Sequence, residues 1–411
     1  MAPPVFTSKS EIVFETIEND LFGKILSCSY GHVNSKPSDF RKILLLFIPE
    51  NGILYKKRKR FLSSRRIEVH MGVTIKDVAA KAGLSISTVS KAFNDYSDIS
   101  SETKEYVRKV AKEIGYYPNA IARTLKTNHS FNLGFIFDEN ASSGLLHPFF
   151  AEVINAFKKE AESLGYDITF INRNIGTTAM TYLDHCHYRN IDGICLAGVD
   201  FTSPEIHELI YSSVPCVTID HVFDCQPCVI SRNLEDIQLL VSHGISLGHR
   251  RIAFIHGENN SSVTKHRIRG YYRCMSDHGL TVPDHFVLES KYLDTVKTRE
   301  LVDTLLELPQ PPTLILLPDD YSYIGAMESA ANHNLTIGKD ISFAGYDGSR
   351  PIQLLRPRLT TIRQNTELMG KTAAKQLIST VETPNVAGCE SFYVPGELLE
   401  GESIADLRSP V

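Results

Sequence analysis

Residues 74–94 read TIKDVAAKAGLSISTVSKAFN, and their pattern predicts the structure of the amino-terminal region. Thr74 can cap a first helix, because apolar residues follow at helical spacing at positions 75, 78, 79 and 82. Gly83 can form the tight turn after that helix, and Ser85 can cap a second helix. The buried side of the second helix is expected to be apolar, at Val89, Ala92 and Phe93. The pattern predicts a helix-turn-helix.

The outer side of the second helix carries one apolar residue, small polar residues and a cation. These residues are Ile86, Ser87, Thr88, Ser90 and Lys91. Short side chains and a cation at the start of a short helix can reach base edges and phosphates in a major groove. An ordinary helical hairpin is the alternative interpretation of this segment taken alone.

The residues that follow make a simple hairpin a weaker explanation. Ser100 can begin a third helix with an inward stripe at positions 107, 110, 111 and 114, and Gly115 can end it. Pro118 then opens a fourth short helical piece. This order predicts three short helices around one small core, followed by a short helix.

Residues 74–94, together with GYYPNAIARTLKT at 115–127, resemble the lactose-repressor (LacI/GalR) family of bacterial transcription regulators. In that family the last segment is a hinge helix that folds on the operator, and its leucine, here Leu125, wedges into the minor groove. A linker leucine packed on the core is the alternative for Leu125. Lys91 occupies a position where relatives often hold Arg. The resemblance implies DNA contacts from Thr74, Ser85, Ile86, Ser87, Thr88, Ser90, Lys91, Asn94, Tyr116, Asn119, Ala122, Arg123 and Leu125.

Beyond Asn132 the chain alternates apolar strand-like runs with helical segments, which is typical of a parallel α/β sheet. One series of runs begins at positions 133, 167, 193 and 215, and a second series begins at positions 251, 313 and 341. Two series predict two doubly wound lobes. The expected domains are an extension of doubtful origin at 1–70, a headpiece with hinge helix at 71–130, and an effector core at 131–411. Within the core we expect one lobe at about 131–231 with 361–385 and the other at about 232–360 with 386–411.

The family resemblance extends through this core, from Leu133 to about Leu399, and implies an effector domain of the periplasmic-binding-protein type. The strings HPFFAEVINAFKKEAESLGYDI, IDGICLAG, PDDYSYIGAMESA and DISFAGYDG match it. Ligands of such sheets bind beyond the carboxyl ends of the strands. The resemblance implies effector contacts from His147, Phe149, Phe150, Asp220, Arg267, Tyr292, Asp319, Asp347 and Gln364.

This set of side chains fits a sugar, because carboxylates and a guanidinium bind paired hydroxyls while aromatic rings cover a pyranose face. Many family members carry Asn-Asp where this chain has Asp319-Asp320. An ionised carboxylate accepts hydrogen bonds but donates none, so the ligand is expected to offer donors there, and a purine fits less well.

Five of these effector residues also have a structural interpretation. Asp220 or Asp347 could cap a helix after a strand, and Arg267 could be a surface cation. Of Phe149 and Phe150, only one is expected to touch the ligand.

Composition narrows the class of protein further. The chain has 43 Lys and Arg against 48 Asp and Glu, for a formal net charge of −5, so any attraction to nucleic acid must be local. A secretory signal and a long apolar run are both missing from the sequence, which favours the cytoplasm. The eight cysteines are scattered, and Cys225 and Cys228 form a CxxC without a second ligand pair, so we expect no metal and no cofactor. No Walker loop, nucleophile elbow, HExxH or dinucleotide fingerprint occurs, so we expect no enzyme.

The first 70 residues show no periodic pattern, although they contain the basic run Lys56–Arg60. Such a run can contact nucleic acid. The family resemblance begins just after Met71, which favours the hypothesis that residues 1–70 are a mis-called leader. Sequencing the amino terminus of the native protein tests this hypothesis, and a start at Met1 would disprove it.

Together these patterns predict a cytoplasmic, homodimeric repressor of carbohydrate-utilisation genes that binds a palindromic operator and responds to a sugar-like effector. The carboxyl terminus, residues 403–411, shows no leucine heptads, which favours a dimer over a tetramer. The alternative is a sugar-binding protein or a sugar-metabolising α/β enzyme, which leaves residues 74–125 unexplained.

Overall fold

The computed structural model describes residues 73–117, 124, 129–137, 145, 147–383 and 390–408. The extension at 1–70 therefore lies outside the described residues. The chain divides into an amino-terminal unit that ends at Tyr117 and a larger unit that begins at Pro118.

The helices of the amino-terminal unit begin where the sequence provides caps. They are α1 (Ile75–Ala82), α2 (Ile86–Phe93) and α3 (Ser101–Ile114). The backbone N–H and the hydroxyl of Thr74 both donate to the Asp77 carboxylate, at 2.8 and 2.7 Å. Ser85 accepts from the backbone N–H of Thr88 at 3.0 Å, which satisfies a donor that the helix leaves free. Gly83 takes the left-handed φ of 68° that the turn between α1 and α2 requires.

One small apolar core joins the three helices. Its buried members are Val78, Ala79, Val89, Ala92, Val107, Val110 and Ala111. Phe93 and Ile114 pack against this core while half-buried. The predicted helix-turn-helix and third helix are confirmed.

The larger unit alternates strands and helices. In chain order the strands are β1 (Asn132–Phe137), β2 (Asp167–Phe170), β3 (Asn174–Ile175), β4 (Thr178–Ala179), β5 (Gly193–Ala197), β6 (Cys216–Ile219), β7 (Cys228–Ser231), β8 (Ile252–His256), β9 (Val287–Glu289), β10 (Leu314–Leu316), β11 (Ser342–Asp347), β12 (Thr360–Arg363), β13 (Ser391–Val394) and β14 (Glu397–Leu399). The helices are α4 (Pro148–Ser163), α5 (Tyr182–Arg189), α6 (Pro204–Ile210), α7 (Asn233–Ser246), α8 (Ser262–Asp277), α9 (Thr295–Leu306), α10 (Ser322–Asn332) and α11 (Thr366–Glu382).

Twelve of these strands form two six-stranded sheets, one in each lobe, and β3 pairs with β4 in a separate two-stranded antiparallel sheet. The first sheet has the order β13-β7-β6-β5-β1-β2 and is parallel throughout. The second has the order β14-β12-β11-β10-β8-β9, and only its edge strand β14 runs antiparallel. Helices cover the sheets, with α4 packed against α11 in the first lobe and α7 against α8 in the second. The predicted pair of doubly wound lobes is confirmed.

In its described residues the chain crosses between the lobes three times, and two crossings differ from the expected boundaries. Strand β12 pairs with β11 of the second sheet, although residues from 361 onward were expected in the first lobe. Strand β13 pairs with β7 of the first sheet, although 386–411 was expected in the second lobe. Both strands have only four residues, so their apolar patterns are too short to show which sheet they join.

Among the described residues, every helix is too short or too polar to cross a lipid bilayer.

Candidate functional site

Two groups of the predicted residues stand out, one on α2 and one between the lobes. On α2, Ile86 and Ser87 are exposed at the start of the helix, with Ile86 46% exposed. Thr88, Ser90 and Lys91 are half-buried. An exposed isoleucine beside small hydroxyls gives this helix an apolar and a hydrogen-bonding surface, which is what a thymine methyl and neighbouring base edges can use.

Some predicted DNA-contacting residues also hold the helix ends. The hydroxyls of Ser85 and Thr88 lie 2.9 Å apart, and the Asn94 amide donates to the Ser90 carbonyl at 2.7 Å. Tyr116 packs its ring on Phe93, with ring centroids 5.5 Å apart. These residues therefore contribute to the headpiece fold whether or not they touch DNA. Asn119, Ala122, Arg123 and Leu125 lie outside the described residues.

The cation of α2 is paired. The Lys91 ammonium donates to the Asp98 carboxylate, which lies seven residues further on in the loop between α2 and α3. This hydrogen bond raises the pKa of Lys91 and lowers the pKa of Asp98. A second carboxylate of the same loop, Asp95, pairs instead with Arg108 of α3 at 2.7 Å.

The second group lies at the carboxyl ends of the strands, at the junction between the two lobes, which is called the cleft below; there the Ser262 hydroxyl of α8 donates to the Asp220 carbonyl at 3.1 Å. Asp220 follows β6 of the first lobe, and Asp347 ends β11 of the second lobe. Both have positive φ angles, 63° and 120°, which turn the chain sharply after the strand. Arg267 of α8 is near enough to both carboxyls to oppose the rise in their pKa.

The Asp220 carboxyl has the least complete set of partners in this cleft. Its Oδ1 is buried and has no hydrogen-bond partner among the described residues. Burial raises the pKa of Asp220 to about 6, although Arg267 and the Ser231 N–H favour the ionised form. A buried acceptor without a donor is costly, so this oxygen favours a bound group that donates to it.

Arg267 is held in one orientation and is only 6% exposed. Its Nε donates to Asn233 Oδ1 at 2.9 Å, and its guanidinium carbon lies 3.6 Å from the Tyr346 ring centroid. The interpretation of this residue as a surface cation is wrong. Its Nη1 also donates to the Pro318 carbonyl at 3.3 Å, and the other N–H groups of the stacked guanidinium remain for neighbouring acceptors.

Gln364 connects the two lobes. Its side-chain nitrogen donates to Asp347 Oδ1 at 2.8 Å, and its side-chain oxygen accepts from the Ser231 hydroxyl at the end of β7. Burial raises the pKa of Asp347 to about 7, while Arg267 and the Gln364 amide act in the opposite direction. The Asp347 carboxyl therefore lies in a position where small changes in its surroundings change its charge near neutral pH.

Both oxygens of the Asp319 carboxylate already accept hydrogen bonds from within the protein. Its carboxylate accepts from the Leu293 N–H at 2.8 Å and from the Ser322 N–H at 2.9 Å, and it is 1% exposed. The first bond fixes the residue next to Tyr292, whose hydroxyl lies 2.8 Å from Thr264 Oγ1. Asp319 thus orients the loop that carries Tyr292. The carboxylate of its neighbour Asp320 likewise accepts hydrogen bonds, from the Thr361 hydroxyl and the Ser349 backbone N–H.

The two phenylalanines at the start of α4 differ in burial. Phe149 is 7% exposed and belongs to the core of the first lobe, whereas Phe150 is half-buried. The Phe150 ring lies 4.9 Å from the rings of both Phe137 and His147. Burial lowers the pKa of His147 to about 4, so its ring is neutral, and its Nδ1 has no hydrogen-bond partner among the described residues.

Sequence reasoning missed the residues that support Arg267. Asn233 accepts from Arg267, and Tyr346 stacks on it while donating to Asp236 at 3.0 Å. Asn233 lies two residues beyond β7, so the rule that favours residues after strands could have found it. Tyr346 lies within a strand and gave no such signal.

The described residues contain no group of three or more His, Cys, Asp or Glu side chains that could hold a metal ion. Cys228 of the CxxC is buried, and its thiol donates to the Ser391 hydroxyl at 3.2 Å.

Comparison with known proteins agrees with this architecture. Residues 130–410 match the family described as periplasmic binding proteins and sugar binding domain of the LacI family, and residues 74–119 match the family of bacterial regulatory proteins, lacI family. The chain thus combines a helix-turn-helix DNA-binding headpiece with an effector-binding core. It belongs to the LacI family of transcriptional repressors, which bind operator DNA as dimers together with small-molecule effectors.

Individual relatives cover nearly the whole family region. The HTH-type transcriptional repressor PurR of Pectobacterium carotovorum is 30% identical over 341 residues, which span 81% of this chain and 97% of the relative. PurR of Escherichia coli is 29% identical over 338 residues, which span 81% of this chain and 97% of that relative. The crystal structure of the lac repressor dimer bound to operator and the anti-inducer ONPF is 26% identical, with a TM-score of 0.67 over 81% of this chain and 99% of that chain. The fold is also shared by a complex of the transcriptional regulator CelR with cellobiose. That structure is 23% identical, with a TM-score of 0.58 over 81% of this chain and all of that chain.

Proposed function

We propose that this repressor controls carbohydrate-utilisation genes and that its effector is an uncharged saccharide bound in the cleft between the lobes. The observation that carries the proposal is the buried Asp220 Oδ1 without a donor among the described residues, close to the buried Arg267 guanidinium. A vicinal diol fits such a pair, because each hydroxyl can donate to the carboxylate and accept from the guanidinium.

The charge of the cleft argues against an anionic effector. Asp319 and Asp220 both raise the pKa of Asp347, and Arg267 is the cation that acts on Asp220 and Asp347. When these carboxyls are ionised they repel a phosphate or carboxylate on the ligand, whereas neutral hydroxyls are not repelled.

Aromatic groups at the edge of the cleft fit a sugar ring. Phe150 is the half-buried member of the phenylalanine pair, and the Tyr292 ring centroid lies 5.8 Å from the Arg267 guanidinium carbon. Such rings cover the apolar face of a pyranose while the carboxyls and guanidinium hold its hydroxyls. Asp319, whose oxygens are occupied, serves in this proposal to position Tyr292 and not to contact the ligand.

We infer further that α2 enters the major groove and that Leu125 wedges into the minor groove of a palindromic operator in the bacterial cytoplasm. Effector binding would favour one arrangement of the two lobes and thereby change operator affinity. A usable switch needs a coupling free energy on the order of 1 to 3 kcal/mol, and the effector can act as inducer or as corepressor.

A thermal-shift screen tests the effector class directly. The panel contains neutral mono- and disaccharides, sugar phosphates, and purine bases and nucleosides, each tested on the full chain. We expect stabilisation by a neutral saccharide and loss of that stabilisation in Asp220→Asn, with Asp224→Asn as control because Asp224 is an exposed carboxylate of the same lobe. Stabilisation by a purine or a sugar phosphate alone would refute the saccharide proposal.

A further inference from the structure

The loop between α2 and α3 carries two carboxylates with different partners. Asp98 pairs with Lys91 of α2, and their side chains are 53% and 41% exposed. Asp95 is a similarly exposed carboxylate three residues earlier, but its partners, Lys104 and Arg108, belong to α3. An acidic residue beside a DNA-reading helix is unexpected, because phosphates repel it.

Lys and Arg contact bases differently, and this difference suggests what the Lys91–Asp98 pair does. Arg presents a rigid fork of donors that matches guanine O6 and N7, whereas Lys is a point charge on a flexible stem. The Lys91 ammonium has three donors, and one of them is used by Asp98. Two donors remain, and the carboxylate limits the directions in which they point.

We propose that Asp98 is a specificity-determining residue that orients the Lys91 ammonium toward a base edge and withholds it from phosphates of arbitrary sequence. This inference rests on the proposed placement of α2 in the major groove. The pair stays formed on the operator, where Lys91 offers its two remaining donors to one base. On random DNA, Asp98 competes with phosphates for the same ammonium and adds its own repulsion.

The proposal predicts that removing the Asp98 carboxylate changes affinity for operator DNA and affinity for random DNA in opposite directions. Without Asp98, the ammonium is free to contact any phosphate, so affinity for random DNA rises. Affinity for the operator falls, because the ammonium loses its fixed direction. Since exposed ion pairs are weak, each change is expected to be about two- to fivefold.

The experiment uses the full chain and two duplexes of equal length. One duplex is selected from a random pool by the wild-type protein, and the other has a random sequence. Asp98→Asn is expected to bind the selected duplex less tightly and the random duplex more tightly than wild type. The matched control, Asp95→Asn, removes the same charge from the same loop and is expected to change both affinities in the same direction.

The Lys91→Gln variant serves to separate two effects of Asp98, the orientation of the Lys91 ammonium and the repulsion of phosphates by the Asp98 charge. In Lys91→Gln, the Asp98→Asn substitution is expected to tighten binding to both duplexes alike, because only the repulsion between Asp98 and phosphates is then removed. If Asp98→Asn tightens binding to both duplexes alike when Lys91 is present, Asp98 only repels phosphates and the inference is wrong. If Lys91→Gln binds the selected duplex as tightly as wild type, Lys91 is not in the interface, and its proposed role in DNA reading fails together with this inference.

Discussion

Replacing Asp347 by Asn should stabilise the effector-free core, and more strongly at alkaline than at acidic pH. The carboxyl has a pKa of about 7 in the folded protein because burial disfavours its charge, against an ordinary value of 3.8. The folded protein therefore holds a proton that the unfolded chain has released between these two pH values. The favourable contribution of the protonated Asp347 carboxyl to the free energy of unfolding is therefore complete below about pH 4 and is lost as the pH rises toward 7.

The size of the effect follows from the same two pKa values. A displacement of about three pKa units corresponds to about 4 kcal/mol at pH 8.5, where the carboxyl is charged in both states. This is an upper value, because Asp347 keeps partial contact with solvent. At pH 5 the penalty is about 1 to 2 kcal/mol, because the carboxyl takes up a proton on folding and pH 5 lies only about one unit above its ordinary pKa. The amide that Asp347→Asn introduces is neutral at both pH values and can still accept the hydrogen bond from Gln364.

Urea unfolding of the effector-free protein at pH 5 and pH 8.5 measures this difference. We expect the advantage of Asp347→Asn over wild type to grow by about 2 kcal/mol between these pH values. Asp340→Asn is the control, because Asp340 is exposed and its pKa is lowered by hydrogen bonds from Thr336. An advantage that stays constant with pH, or a loss of stability at pH 8.5, would refute the view that the cleft holds a proton on Asp347.

Further substitutions test the cleft and the hinge separately. Arg267→Lys keeps the charge but loses the planar fork, so calorimetry should show effector affinity reduced about tenfold, while the exposed Arg269→Lys on the same helix leaves it unchanged; equal effects would remove Arg267 from the cleft. Gly257→Ala would place a Cβ 2.2 Å from the Tyr292 ring and so displace the ring. We expect effector affinity to fall about tenfold and operator affinity in gel shifts to stay the same. Normal effector affinity would show that Tyr292 makes no contact with the effector. Leu125→Ala should weaken operator binding and spare binding to random DNA, and a parallel loss on both would indicate a packing role.

Local chemistry explains why the headpiece could be predicted from sequence. Thr74 and Ser85 cap helices within three residues of themselves, and Gly83 makes its turn without distant partners. Such signals lie within one window of sequence. The longer strands of the core, such as β1, were also predicted correctly, because each is a continuous apolar run that is buried in its sheet.

The cleft could be predicted only in outline, because its hydrogen bonds join residues that are distant in sequence. Asp319 follows a strand as the other candidates do, yet its carboxylate is occupied by Leu293, 26 residues away. Arg267 and Asn233 are 34 residues apart, and Gln364 and Ser231 are 133 apart. Position after a strand indicates that a polar residue reaches the cleft, but only the folded chain shows which polar groups remain free.

The three crossings between lobes have a consequence for synthesis on the ribosome. The first lobe obtains its edge strand β13 and the helix α11 from residues 366–394, near the end of the 411-residue chain. Its sheet therefore stays incomplete until almost all of the second lobe has been translated. The three headpiece helices, in contrast, are complete by residue 114 and can fold early. A nascent chain would thus carry a finished DNA-binding unit well before it has a finished effector site.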